Sequence, residues 1–278
     1  FCARTAFRGS DFSMTAKEKK ADVSLFQKNV ELMAITESLV FTDPYYQAER
    51  NHHTGGLDSI IKILRNDVNM KAKVQHMLLK FTSNCETMCH GDLHSGSIMC
   101  TEAETQVIDP EFAFYGPLGF DIGMLMSNYL MAFFSQPGHR TNNSELRDYQ
   151  DWILEIIDKT VQVFYQEFTY LWKNERTGIL YPTALFEDQG HDSSEALTYI
   201  LKKSWKDAVT ICGIEMHRRC LSLAHNADFE EITDLKLRAK LEARNLLMGR
   251  ELILNASLMT EIHDVLNLAK VFNEKELL

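Results

Sequence analysis

Apolar side chains recur with helical spacing along most of the chain. Between residues 70 and 81 they occupy positions i, i+4, i+7, i+8 and i+11, which lie on one face of an α-helix. A longer apolar stripe spans residues 144–172 and predicts one long amphipathic helix, for which Ser144 is the expected N-cap. The same spacing predicts three further helices, over residues 194–225, 229–254 and 257–272.

β structure is favoured in one short region only. Residues 99–101 and 105–108 are separated by a short polar segment, a pattern typical of a small hairpin. Clusters of helix-breaking residues predict three surface loops, at residues 51–56, 135–143 and 187–193. The pattern therefore predicts a mainly α-helical domain that carries one small β hairpin.

Composition and charge argue against a membrane partner and a nucleic-acid partner. The longest apolar run, over residues 123–134, is shorter than the ~20 residues of a membrane span, so it predicts a buried core helix and no membrane partner. The six cysteines form no CxxC pair and are expected to be free thiols in a reducing, cytoplasmic compartment. The net charge of −10 argues against a nucleic-acid partner, because an acidic surface repels the phosphate backbone.

The densest potential chemistry lies in the stretch HGDLHSGSIM, residues 90–99. Two histidines and an aspartate fall within five positions, which suits a metal site, a nucleophile with its base, or a loop that presents one carboxylate to a substrate. His90, Asp92 and His94 have the residue types of metal ligands, so a metallohydrolase is one interpretation. The other histidines supply no further ligands at matching spacing, which disfavours it.

A second carboxylate motif follows, in Asp109-Pro110-Glu111. In an extended segment the side chains at i and i+2 share a face, so the oxygens of Asp109 and Glu111 are expected to reach one cation. Such hard oxygen ligands suit Mg²⁺, which takes further ligands from water and from substrate phosphates. The alternative is a plain turn, because Asp-Pro commonly opens turns.

The order of the two motifs indicates a reaction class. A His-x-Asp loop, a short hairpin and then an aspartate 17 residues after the first one is the order used by protein-kinase-like phosphotransferases. In that order Asp92 faces the acceptor hydroxyl and Asp109 holds the metal ion on the nucleotide phosphates. Phosphoryl transfer needs little covalent work from the enzyme, so a few well-placed carboxylates and a metal ion carry most of the site.

Together, HGDLHSGSIM and VIDPEFAFYGPLGFDIG closely resemble the 5-methylthioribose kinases. These small-molecule kinases of methionine salvage belong to the aminoglycoside-phosphotransferase and choline-kinase branch of the protein-kinase-like fold. The resemblance implies ATP and Mg²⁺ as cofactors, and transfer of the ATP γ-phosphate to the 1-hydroxyl of 5-methylthioribose. It extends to ITESLVFTDPYYQAERN, residues 35–51, and so covers almost the whole chain.

One position departs from most members of the wider branch. Ser97 stands where they place an asparagine that helps to bind the second metal ion. Glu111 is then expected to supply the ligand that Ser97 supplies poorly, and this combination is characteristic of the methylthioribose kinases. The resemblance therefore assigns the metal ion to Asp109 and Glu111, and the nucleotide to Asp109, Pro110 and Glu111.

The segment GIEMHRRCLSLAHNADFEEI, residues 213–232, resembles the part of these kinases in which paired arginines lie close to the sugar. Carried over to Arg218 and Arg219, this implies substrate binding and a catalytic role. The guanidinium groups would hydrogen-bond the sugar or stabilise charge on the transferring phosphoryl group. The alternative is that both arginines are solvated or salt-bridged on a helix surface.

The resemblance also implies roles around the first loop. Asp92 is expected to orient, and to deprotonate, the anomeric hydroxyl of the sugar. His90 and Asp121 are expected to be structural support, Asp121 through hydrogen bonds to the loop backbone. For His94 two interpretations stay open, a residue that lines the substrate pocket and a structural residue.

The sequence before Asp92 lacks the elements that bind the nucleotide in kinases. No glycine-rich loop follows a strand there, and no VAIK-like strand is present. Residues 1–278 are therefore expected to be the C-terminal, acceptor-binding and catalytic-loop lobe of a kinase-like fold, without the N-terminal lobe and inactive on its own. The alternatives are another sugar or amino-alcohol kinase of the same superfamily and a non-catalytic kinase-like binding lobe. A homodimer is expected from the family resemblance only.

Overall fold

The fold is known from a computed structural model that describes residues 1–277. Within these residues it contains eleven α-helices and four short β-strands. The helices are α1 (Cys2–Arg8), α2 (Ala16–Phe26), α3 (Val30–Leu39), α4 (Asp58–Asn66), α5 (Val68–Ser83), α6 (Phe120–Ser135), α7 (Asn143–Asn174), α8 (Ser194–Leu221), α9 (Ala227–Glu230), α10 (Leu235–Asn255) and α11 (Ile262–Glu274). The strands are β1 (Thr87–Cys89), β2 (Ile98–Cys100), β3 (Thr105–Val107) and β4 (Phe114–Gly116).

Three helices form the centre of the core. Helix α6 is buried along almost its whole length and packs against α8 and α10, which also pack against each other. The crossing of α8 and α10 is close because each helix presents a glycine there. A Cβ on Gly213 would lie 2.4 Å from the carbonyl oxygen of Gly249. This contact sets the position of α8 along α10. Near the C-terminal end of α8, Arg219 donates a hydrogen bond to the loop after β1.

The predicted mainly α architecture is confirmed, and the strongest apolar stripes form helices. Residues 70–81 lie within α5, and residues 144–172 lie within α7. Residues 123–134 form most of the buried helix α6, as their apolar run predicts. These helices form where the hydrophobic period is long enough to define one buried face.

Two helix ends differ from the bounds that the apolar periodicity predicts. Helix α7 is capped by Asn142 and not by Ser144, since Asn142 Oδ1 accepts a hydrogen bond from the Ser144 amide at 2.9 Å. Helix α8 ends at Leu221 and not at residue 225. Its pattern is broken because Ser222 is extended and Ala224 has a φ of 56°, in the left-handed region.

The C-terminal helices also differ in their bounds. The helix predicted over residues 229–254 is divided into α9 and α10. The division falls at Asp234, whose side chain accepts hydrogen bonds from the amides of Lys236 and Leu237 and so starts a new helix. Helix α11 begins at Ile262 and not at residue 257.

The predicted hairpin is confirmed as the antiparallel pair β2 and β3, with Met99 opposite Gln106. The structure also contains a second two-stranded sheet, which the sequence did not predict. In it β1 pairs antiparallel with β4, with Cys89 opposite Phe114. Each of its strands has three residues, which is too short for an alternating pattern to identify. The β1–β4 pairing holds the two ends of the segment 90–113 together. Both carboxylate motifs lie within this segment.

The predicted loops lie between helices, and two of them contain single 3₁₀ turns at Gln136–Gly138 and Glu187–Gln189. All six cysteines occur as free thiols. Among residues 1–277, no helix combines the length and the apolar character needed to cross a membrane.

Gly213→Ala tests the close crossing of α8 and α10. In an exposed helix interior this change stabilises a protein by about 1 kcal/mol, because alanine has the higher helix propensity. At Gly213 we expect the sign to reverse, with a loss of about 1–3 kcal/mol in the free energy of unfolding, because the new Cβ meets a backbone oxygen. Urea unfolding measures the change. Gly55→Ala is the control, since no atom lies within 4 Å of its added Cβ. A stabilised Gly213→Ala protein would contradict the description of this crossing.

Candidate active site

The loop after β1 carries the His-Gly-Asp motif, and a buried carboxylate holds it. Asp121, in the first turn of α6, accepts the His90 amide at Oδ2 (2.7 Å) and the Gly91 amide at Oδ1 (3.1 Å). Burial raises the pKa of Asp121, whereas the two amide hydrogen bonds act in the opposite direction. These are the backbone hydrogen bonds expected of Asp121, and they fix the two residues that precede Asp92.

Gly91 lets this loop pass close to the segment after Asp109. Its φ is 91°, and a Cβ at this position would lie 2.1 Å from the carbonyl oxygen of Phe112. Only glycine satisfies both the positive φ and the close backbone approach. The close packing of the two carboxylate segments therefore requires glycine at the middle position of the His-Gly-Asp motif.

His90 is buried and bonded to backbone at both ring nitrogens. Its Nε2 donates to the carbonyl oxygen of Ile108 at 2.8 Å, and its Nδ1 accepts from the Asp92 amide at 3.4 Å. This pairing corresponds to the neutral imidazole with its proton on Nε2. With both nitrogens occupied, His90 has no lone pair left for a metal ion, which removes the basis for the metallohydrolase interpretation.

Asp92 is the partly exposed carboxylate of the loop. Its Oδ1 accepts a hydrogen bond from Arg219 Nη2 at 2.8 Å, and its Oδ2 lies 3.8 Å from His94 Nε2. Burial lowers the pKa of His94, although the charge of Asp92 opposes this shift. The imidazole is then neutral at pH 7, so the strong partner of Asp92 is Arg219. The Asp92 side chain is 24% exposed, which leaves one side open to an acceptor group.

Near the end of α8, Arg218 is buried and the Arg219 side chain is 11% exposed, and the two arginines share one partner. Arg219 Nε donates to Glu215 Oε1 at 2.5 Å, and Arg218 Nη1 donates to the same oxygen at 3.1 Å. Glu215 is only 2% exposed. Of the alternative given for the arginines, the solvated form is therefore wrong, whereas the salt-bridged form is present in the structure. Glu215 is a residue that the sequence analysis missed, although its i−3 and i−4 spacing from the two arginines is the usual signature of a helical ion pair.

The surroundings shift the pKa values of the two arginines in opposite directions. Burial lowers the pKa of Arg218, and the charge of Glu215 opposes that shift. For Arg219, burial again acts to lower the pKa, but Glu215 and Asp92 together outweigh it and the pKa is raised. Arg218 also borders a small cavity that reaches Asp92, so Arg218 and the loop carboxylate face one space.

The Asp109-Pro110-Glu111 segment has a different backbone from the one expected. Asp109 has a φ of 63°, in the left-handed region, and Glu111 begins a turn, so the segment is not extended. Asn29 Nδ2 holds this turn by donating to the carbonyl oxygen of Glu111 at 2.8 Å. The turn interpretation is thus right for the backbone, and shared binding of one cation by Asp109 and Glu111 stays a prediction.

The donor chemistry of this segment fits Mg²⁺. Both carboxylates are exposed, and among residues 1–277 neither makes a side-chain hydrogen bond or ion pair, so their oxygens are free to bind a cation. The structure links the segment to the first loop through Ile108, whose carbonyl accepts from His90 and whose amide donates to the Ser97 carbonyl at 2.9 Å. These two hydrogen bonds connect the Asp109-Pro110-Glu111 segment to the loop that carries Asp92.

Ser97 faces the inside of the loop. It is 3% exposed, and its Oγ lies 3.4 Å from the carbonyl oxygen of Asp92 and 3.5 Å from His94 Nε2. A hydroxyl placed in this way contributes to the shape of the loop. Replacement of Ser97 by Glu111 as a metal ligand stays a prediction.

Comparisons with known proteins identify relatives over nearly the whole chain. Residues 27–154 match the model of the phosphotransferase enzyme family. The chain is 41% identical to the methylthioribose kinase of Escherichia coli O45:K1 (strain S88 / ExPEC) over 98% of its length. It is 37% identical to that of Geobacillus sp. (strain WCH70) over 96%, and 36% identical to methylthioribose kinase 1 of Oryza sativa subsp. japonica over 88%. The chain spans 65%, 62% and 58% of these three relatives.

Asp121→Asn tests the role of the buried carboxylate. The amide side chain keeps one acceptor oxygen, so one of the two backbone donors at His90 and Gly91 is left unpaired, at a cost of about 1–3 kcal/mol. We expect faster hydrogen exchange at these two amides and a lower free energy of unfolding. Asp264→Asn is the matched control, because Asp264 also accepts two backbone amides but does so at the start of α11. Unchanged exchange at His90 and Gly91 in Asp121→Asn would show that another group holds the loop.

Proposed function

We propose that this chain, a homologue of the methylthioribose kinases, supplies the acceptor site and the metal loop of a kinase for 5-methylthioribose. The reaction transfers the γ-phosphate of ATP to the 1-hydroxyl of the sugar and gives ADP and 5-methylthioribose 1-phosphate, a step of methionine salvage. Sequence identity of 36–41% to methylthioribose kinases supports the substrate. The observation that carries the proposal is the Asp92–Arg219 ion pair, which joins the His-Gly-Asp loop to the paired-arginine helix.

Asp92 is the residue that we place against the reacting hydroxyl. One of its oxygens is held by Arg219, and its carboxylate remains partly exposed, so the other oxygen is available to accept the hydroxyl proton. Asp121 and His90 fix the backbone on either side of Gly91 and so keep this carboxylate in place. A positioned carboxylate that orients and deprotonates the acceptor is the usual arrangement in kinases of this fold.

Arg218 and Arg219 are proposed to bind the sugar and to act on the transferring phosphoryl group. Their guanidinium groups are buried, cationic and held on one side by Glu215. Fixed positive charge in a dry site stabilises developing negative charge without reorganisation, which is how such groups accelerate phosphoryl transfer. Arg219 lies closer to the chemistry because it contacts Asp92 directly.

Asp109 and Glu111 are proposed to hold Mg²⁺, and Asp109, Pro110 and Glu111 to lie against the ATP phosphates. When bound, the ion would neutralise charge on the β- and γ-phosphates. The two free carboxylates provide the oxygen ligands, and the His90–Ile108 hydrogen bond keeps their segment next to Asp92. A cytoplasmic location is supported by the six free thiols, and assembly as a homodimer stays a prediction.

Asp92→Asn tests the acceptor-side role. The asparagine keeps the shape of the side chain but cannot take the hydroxyl proton, so we expect kcat to fall by about 10²–10⁴ with little change in the KM for ATP. Steady-state assays of the complete protein with 5-methylthioribose measure both constants, and a panel of other sugars and amino alcohols defines the acceptor. Asp58→Asn is the control, since Asp58 is exposed and pairs only with His53. Near wild-type turnover in Asp92→Asn would contradict the assignment.

Asp109→Asn and Glu111→Gln test the metal loop. Each substitution replaces a negatively charged carboxylate with a neutral amide. We expect this to raise the Mg²⁺ concentration that gives half-maximal activity by on the order of 10-fold or more. A Mg²⁺ titration at saturating sugar and ATP measures this shift. Glu102→Gln, an exposed glutamate between β2 and β3, is the control. If neither variant changes the Mg²⁺ dependence, the ion is held by other groups.

A further inference from the structure

Glu215 occupies an unusual position for a charged side chain. It is buried near the C-terminal end of the core helix α8, with 2% of its surface exposed. One of its oxygens, Oε1, accepts hydrogen bonds from both Arg218 and Arg219. Its other oxygen is buried and has no hydrogen-bond partner among the described residues. A buried carboxylate with an unpaired oxygen is costly, so it is retained where its charge or position is needed.

Glu215 balances the charge of the site. Asp92 and Glu215 carry two negative charges, and Arg218 and Arg219 carry two positive charges, all within one connected set of ion pairs. Without Glu215, two buried guanidinium groups would share Asp92 alone.

Glu215 also fixes the direction of Arg219. The guanidinium is held at three nitrogens: Nε by Glu215, Nη1 by the carbonyl oxygen of Ala224 at 3.3 Å, and Nη2 by Asp92. The Glu215 contact is the shortest of the three, at 2.5 Å. Since Nε and Nη2 belong to one planar group, an anchor at Nε determines where Nη2 points.

We propose that Glu215 is a positioning residue of the acceptor site, which sets the two arginines and, through Arg219, the orientation of Asp92. This inference rests on the proposed function, because it takes Asp92 and Arg219 as the groups that act on the sugar. Glu215 itself touches neither sugar nor phosphate. Its effect is carried by the geometry and the charge of Arg218 and Arg219.

The chain offers a close structural match as a control. Glu242, on α10, is 1% exposed, pairs with Arg238 one helical turn away at 2.9 Å, and also has a buried oxygen without a partner. Its ion pair connects to Glu230 and not to Asp92. Glu242→Gln therefore removes the same kind of buried charge outside the acceptor site.

The first test compares Glu215→Gln with Glu242→Gln in the complete protein. We expect Glu215→Gln to lower kcat/KM for 5-methylthioribose by roughly 10- to 100-fold, a range typical of residues that position an active group. Glu242→Gln is expected to lower the melting temperature but to leave kcat and KM within about twofold. If Glu215→Gln does not fold, Glu215→Asp keeps the charge and shortens the side chain by one methylene, and the same kinetic loss is expected. Wild-type kinetics in the folded variant would overturn the inference.

The second test uses chemical rescue, which a purely structural role would not affect. Arg219→Ala leaves a space between Glu215 Oε1 and Asp92 Oδ1 that fits free guanidinium ion. Millimolar guanidinium is expected to restore activity at least tenfold in Arg219→Ala, and to restore little in Arg219→Ala/Glu215→Gln, which lacks one carboxylate. Equal rescue in both backgrounds would overturn the role of Glu215. If Arg219→Ala and Asp92→Asn both keep full activity, the proposed function fails, and the inference fails with it.

Discussion

The Asp92–Arg219 ion pair joins segments that lie 127 residues apart, and the rest of the structure holds these segments in contact. Helix α8 can present Arg219 to the loop only because it crosses α10 closely at Gly213 and Gly249 and packs on the buried helix α6. The loop can present Asp92 only because Asp121, at the start of the same α6, holds its backbone. One core helix therefore supports both sides of the candidate site.

Three aspartates in this region differ in environment and so in role. Asp121 is buried and accepts two backbone amides, which makes it a support for the loop. Asp92 is partly exposed and keeps one oxygen available beside a fixed guanidinium. Asp109 is exposed and has no side-chain partner in the described part of the chain. Burial and hydrogen bonding, and not residue type, separate the structural carboxylate from the two carboxylates that we propose as proton acceptor and metal ligand.

Much of this arrangement follows from the sequence, for physical reasons that can be named. Long apolar stripes identify α5, α6 and α7, because each buries one face or, in α6, its whole surface. The HGDLHSGSIM and DPE motifs and the paired arginines indicate the proposed chemistry, because phosphoryl transfer uses carboxylates and fixed positive charge. The family resemblance assigns Asp92 and Arg219 separately to the sugar, and the structure adds the direct contact between their side chains.

The remainder depends on tertiary contacts that no local pattern reports. The β1–β4 pair consists of two three-residue strands that are distant in the chain and pack against α1, α2 and α5. The left-handed φ of Asp109 reflects the turn held by Asn29. Glu215 has the same helical spacing as an ordinary surface ion pair, and only its burial distinguishes it.

A double-mutant cycle between Asp92 and Arg219 tests the central claim most directly. Asp92→Asn, Arg219→Gln and the double variant are compared by kcat/KM for 5-methylthioribose in the complete protein. If the pair acts as one unit, the double variant is nearly as active as the weaker single variant, so the losses do not multiply. Losses that multiply would show that the two residues act independently, and would contradict the account.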